Sequence, residues 1–128
     1  MSFAAVKSDT GAVLPWEYLP AKAGTYQCGQ MVGVSGGFVS ALSGASSTTP
    51  PYLCVSERTI AQDGDLLPVV RVARGNIFET TLSAGGNVQV GSKLGVAAGG
   101  LEAGGSGTFE VTWVDSTAQG DPVRGRFV

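Results

Sequence analysis

Apolar residues along this chain come in short bursts broken by Gly, Pro, Ser and Asp. The clearest burst has a period of two. Phe109, Val111 and Trp113 alternate with Thr108, Glu110 and Thr112, a pattern that buries one face of a strand and wets the other. Further strands are predicted at 16–19, 24–34, 38–42, 52–58, 66–74, 77–82, 88–90 and 123–128, with 93–96 pairing to 101–102 across Gly99-Gly100. Ser35-Gly36-Gly37 between two apolar runs is a hairpin signal. Gly104-Gly105-Ser106-Gly107 reads as another turn, and 43–51 as a surface loop. Pro68 lacks an amide donor, so its strand is expected at an edge, or Pro68 at a strand start or bulge. No segment keeps a helical period over three turns. The expectation is all-β: a small barrel- or sandwich-like domain of short strands, with at most one or two short helices, in 55–65 or 83–90.

At 128 residues the chain is the size of one domain with one core. Residues 1–15 read as an extended N-terminal arm and 16–128 as the domain. The stretch 7–11 is polar with turn chemistry. Phe3, Val6, Val13 and Leu14 give the arm apolar handles too sparse for a core, and Trp16 stands at its boundary. Such an arm either frays or docks onto something else. The net charge is −2 and the mean hydropathy +0.19, which suits apolar surface covered by another subunit.

The eight Lys and Arg are scattered, so no basic patch for nucleic acid is expected. Arg124 and Arg126 would share one solvated strand face. No apolar run approaches the ~20 residues of a membrane-spanning helix. The N-terminus lacks the basic start and apolar stretch of a signal peptide, so the expectation is synthesis in a cytoplasm and no membrane partner.

With no histidine, Ser-His-Asp and Cys-His catalysis and His-ligated zinc are excluded. Asp63-Gly64-Asp65 reads as a turn, because Leu66-Leu67-Pro68 supplies none of the further oxygens a calcium loop needs. The glycines at 104–107 run into a strand and Gly91-Ser92-Lys93 has the wrong order for a phosphate loop. A histidine-free enzyme would rest on Glu57, Asp63 or Asp65, which the sequence does not place in one pocket. Cys28 and Cys54 lie in apolar runs as small buried hydrophobes, with a disulfide left open for an oxidising environment. Trp16, Tyr18 and Tyr26 offer a sugar-stacking platform, against the commoner use of such aromatics in a core or interface. No catalytic residue, cofactor or metal is expected.

The stretches Ala5-Val6-Lys7-Ser8-Asp9-Thr10-Gly11, 18–26, Gly29-Gln30 and 33–39 resemble the capsid decoration, or head cement, proteins of tailed bacteriophages. Residues 52–58, Gly64-Asp65, Val70-Arg71-Val72 and Gly120-Asp121-Pro122-Val123-Arg124-Gly125-Arg126-Phe127 fit the same pattern. Lambda-type head decoration proteins are the best-known comparison. The resemblance implies a β-tulip-like domain, a homotrimer, and a place on the outer capsid surface of the virion with the major capsid protein as partner. It also implies an N-terminal arm that orders on the shell, with Phe3, Val6, Val13, Leu14 and Trp16 as its anchors. Competing readings are a glycan-binding adhesin or fibre-associated module, and a tail-tube or head-completion subunit.

Overall fold

The glycine-punctuated apolar runs form twelve strands in the computed structural model, which describes residues 3–7, 14–97 and 100–128. In chain order these are β1 (Ala4–Lys7), β2 (Trp16–Pro20), β3 (Gly24–Tyr26), β4 (Met31–Ser35), β5 (Phe38–Ala41) and β6 (Tyr52–Cys54). There follow β7 (Arg58–Ile60), β8 (Leu66–Arg71), β9 (Ile77–Thr81), β10 (Lys93–Val96), β11 (Ala103–Val114) and β12 (Pro122–Phe127). Sheet A has the order β1-β9-β12-β11-β10 and sheet B the order β2-β8-β6-β4-β5, while β3 pairs with β7. All these strand pairs are antiparallel. Helix makes up 1% of the chain, so neither 55–65 nor 83–90 is helical. The fold is all-β and sandwich-like, with no closed barrel.

Sheet B is apolar on both faces. Met31 and Leu53, neighbours in register, face sheet A and join Phe78, Phe109, Val111, Val123 and Phe127 in the larger core. Val32, Cys54, Leu67 and Val69 face the other way, onto Tyr26 of β3 and Ile60 of β7. This explains the unbroken apolar run in β8, whose residues 67–70 are all buried. Sheet B also curls: Ala21, just after β2, bridges in parallel to Val39 on β5, the opposite edge. The β4–β5 hairpin turns on Gly36 and Gly37 at φ +62° and +86°, the primed-turn geometry that matches strand twist.

Several sequence expectations need correction. The run 52–58 is broken at residues 55–57 into β6 and β7, and 88–90 is not a strand. Residues 104–107 are no turn but the start of β11, and β10 pairs with β11 through Val96↔Ala103 and Gly95↔Gly104 rather than with 101–102. Glycine serves close approach there: a Cβ on Gly107 would stand 2.6 Å from the Cα of Gly95. Trp113 does not share the buried face of Phe109 and Val111. The register slips between Val111↔Gly125 and Trp113↔Arg124, and this bulge turns Trp113 outward, where it is 43% exposed under the Arg124 guanidinium.

Pro68 lies inside the interior strand β8, neither at an edge nor at a strand start. Its carbonyl accepts from the Val55 N–H at 3.2 Å, so its nitrogen faces the carbonyl of Val55, one residue past the end of β6, and that carbonyl takes the Cys28 thiol instead of a ladder N–H. Phe3 is also a correction. It is 2% exposed, held by its N–H to the Gly29 carbonyl at 2.9 Å, and packed on Phe109 and Phe127 with centroids 5.7 and 6.2 Å away. The apolar handles near it in sequence were sparse because its partners are supplied by the far end of the chain.

Candidate functional site

The side of Pro68 that bonds to Val55 fixes the hydrogen bonding of β2. Tyr18 stands opposite Pro68, in a site where neither residue bonds across the pair, so the Tyr18 N–H and C=O point away from β8. Trp16, two residues earlier, does the same. Glu17 and Leu19 bond inward, and the rhythm continues in Ala21, whose N–H donates to the Asp65 carbonyl at 3.0 Å. Beyond that point the outer edge is occupied, with the Lys22 N–H donating to the Val39 carbonyl at 2.9 Å. Among the described residues, the free edge of β2 is thus the backbone of Trp16 and Tyr18.

The same register sets the side chains. Trp16, Val70, Leu53 and Met31 form one row across sheet B, followed by the pairs Tyr18–Pro68 and Pro20–Leu66. That face packs on sheet A at Met31 and Leu53. Over β2 it continues uncovered: Trp16 is 56%, Tyr18 58% and Leu66 57% exposed. Taking about 200 Å² for a whole large side chain, the strip presents roughly 300–400 Å² of mostly apolar surface. On the opposite face Glu17 pairs with Arg71 at 3.5 Å, and Arg71 lies over the Tyr52 ring.

Of the arm residues, Val6 is exposed on β1 and Leu14 half-buried, while Val13 falls outside the described residues. Trp16 alone joins the β2 strip. Tyr26 cannot belong to an aromatic platform with Trp16 and Tyr18. It is buried, and its hydroxyl donates to the Lys22 carbonyl at 2.8 Å and also lies 3.3 Å from that of Val39. Burial raises its pKa above the usual tyrosine value, and the charge of Asp63 adds to this.

Asp63 has structural work: its Oδ1 accepts from the Ala23 N–H at 2.8 Å, while the Gly64 N–H donates to the Ala21 carbonyl. Glu57 is exposed in the β6–β7 connection. Among the described residues no three His, Cys, Asp or Glu gather where a metal could be held. Arg124 and Arg126 do share the outer face of sheet A, where Glu79 pairs with the first at 3.8 Å and Glu110 with the second at 3.1 Å. A shallow open depression of about 320 Å³ lies beside that second pair, lined by Arg74, Gly75, Glu110, Arg126, Phe127 and Val128. Two of its three charged side chains, Arg126 and Glu110, are already paired with each other.

No helix among the described residues is long and apolar enough to cross a membrane. The β2 strip escaped the sequence reading because the alternation of Trp16 and Tyr18 is legible but the covering of a face is not. A comparison with protein-family models and with curated proteins found no match for this chain.

Proposed function

We propose that this protein is a structural subunit that binds the outer surface of an expanded tailed-phage capsid and cements neighbouring capsomers against internal DNA pressure. The observation that carries the reading is the exposed apolar strip of Trp16, Tyr18 and Leu66 beside a strand edge that is unpaired among the described residues. Such an edge takes an extended segment from another chain through main-chain bonds, while the side chains beside it give register. The sequence resemblance supplies the partner class, a major capsid protein, and a homotrimer on the virion surface. Several modest contacts made together become strong by multivalency.

The test is co-sedimentation with expanded capsids that lack the protein. Wild type should bind saturably at a fixed ratio to the capsid subunit, and Trp16→Ser/Tyr18→Ser should lose at least ten-fold in affinity while keeping its melting temperature. Deleting residues 1–15 is a poor test by itself, because it removes Phe3 from the core. A folded wild-type protein that binds no shell refutes the proposal. The adjacent exposure of Trp16 and Tyr18 also favours a second reading, stacking on a pyranose chain. Glycan-array binding lost on Trp16→Ala or Tyr18→Ala, without shell binding, would put that reading first.

A further inference from the structure

Two thiols meet at one end of β6. Residues 27–30 form a turn, closed by the Gln30 N–H to the Gln27 carbonyl at 3.2 Å, with Gly29 at φ +86°. Reciprocal backbone bonds seat this turn on Cys54: the Gly29 N–H donates to the Cys54 carbonyl and the Cys54 N–H to the Gln30 carbonyl, both at 2.8 Å. The two sulfurs donate to successive carbonyls of one chain segment, Cys28 to Val55 at 3.5 Å and Cys54 to Ser56 at 3.1 Å. Both are free thiols, Cys28 exposed and Cys54 buried. Gly29 faces Cys54 across this bridge and Cys28 is its chain neighbour, so the cross-link would form one residue away from the directly opposed position.

We propose that Cys28 and Cys54 are an attacking and a resolving thiol, which a low-molecular-weight disulfide oxidises to an intramolecular cross-link. The Cys28 thiolate attacks one sulfur of the small disulfide, forming a mixed disulfide and expelling one small thiolate. Cys54 then gives its proton to solvent and attacks the Cys28 sulfur, expelling the second. Two electrons pass from the protein to the small disulfide, and two small thiols leave. Exposure orders the steps, since only Cys28 meets the oxidant directly. Burial raises the Cys54 pKa, a backbone hydrogen bond at Ser56 opposes that rise, and the nearby Cys28 charge adds to it. Cys54 is therefore the slow, second thiol at neutral pH.

The cross-link has a structural consequence. The Phe3 N–H donates to the Gly29 carbonyl, so fixing the turn to β6 also fixes the seat of the first strand. The inference is independent of the capsid reading.

The folded protein is incubated with oxidised glutathione at pH 8, quenched with iodoacetamide and weighed intact. The expected product is a monomer with no glutathione, no alkylation and a mass about 2 Da below the reduced chain. It should melt several degrees higher and resist N-terminal proteolysis longer. Cys28→Ala, an exposed change that leaves the core intact, should leave Cys54 unmodified over the same time. A stable singly glutathionylated protein, a disulfide-linked dimer or an unreacted protein would each overturn the proposal. So would a Cys28→Ala protein whose Cys54 reacts as fast as the wild-type pair, because oxidation would then pass through unfolding.

Discussion

Replacing Phe3 with alanine asks whether the first strand belongs to the domain or merely accompanies it. Burying a whole phenylalanine side chain contributes about 2–3 kcal/mol. Its edge-on contact with Phe109 at 82° and its tilted contact with Phe127 add about 0.5–1.5 kcal/mol. The cavity left behind is walled by strands on several sides and collapses poorly, so the total loss should be about 3–5 kcal/mol. For a domain whose whole stability is about 5–15 kcal/mol, that is a large share, and the melting temperature should fall by roughly 10–20 °C. Urea unfolding followed by tryptophan fluorescence measures it, with Val6→Ala as the control. Val6 is exposed, and its truncation should cost less than about 0.5 kcal/mol. A Phe3→Ala loss below about 1 kcal/mol, at unchanged denaturant slope, would refute the reasoning: the strand would then be a frayed arm in solution and the aromatic cluster complete without it.

Gly107→Ala should destabilise by about 2–3 kcal/mol, because its new methyl meets the backbone of Gly95 and strands cannot yield like side chains; a chemical melt within 0.5 kcal/mol of wild type would contradict this. Thr81→Val should stabilise by about 1 kcal/mol, since the Thr81 hydroxyl is buried without a hydrogen-bond partner; the same melt reads it, and a loss would mean the hydroxyl is satisfied. Alkaline stability follows from Cys54 and Tyr26, whose pKa values burial raises above the ordinary 9.0 and 10.0. The folded state holds those protons longer than the unfolded chain, so stability is complete below pH 9 and falls as the pH climbs through the raised values. The urea midpoint should therefore drop from pH 9 upward, less steeply above pH 10 in Tyr26→Phe; a flat profile from pH 8 to 11 would refute it.

Local signals carried the strand reading well. The turn at Gly36-Gly37, the turn at 63–65 and the one at Gly75-Asn76 each sit where short-range chemistry puts them, because φ and side-chain bonding are decided within a few residues. What failed was decided at long range. The glycines at 104–107 look like a turn until Ser83 is known to press on Gly104 and Gly95 on Gly107. Trp113 keeps the alternation of its neighbours in sequence, and only the pairing with β12 reveals the bulge that reverses it. Pro68 is forbidden in an interior strand unless the partner strand has already ended, which depends on where β6 stops. Of the candidate site, the apolar spacing of Trp16 and Tyr18 was visible, while the exposure of Leu66 beside them required the register of β2 on β8.

The placement of Phe3 against Phe109 and Phe127 has a bearing on how the protein is made. During synthesis β1 waits for β9 as its ladder partner and for β11 and β12 as its packing partners. Sheet A cannot be assembled in order of synthesis. Its middle position belongs to β12, which follows every other strand of the sheet in sequence. Sheet B and its cluster can form from residues 16–71 alone, whereas sheet A gains little native structure until β12 has been made, and its late loop closure favours slow folding. Chains that end before β12 would lack the central strand of sheet A and Phe127 of the aromatic cluster together. In such chains sheet A should stay unformed and open to proteases while sheet B can still pair.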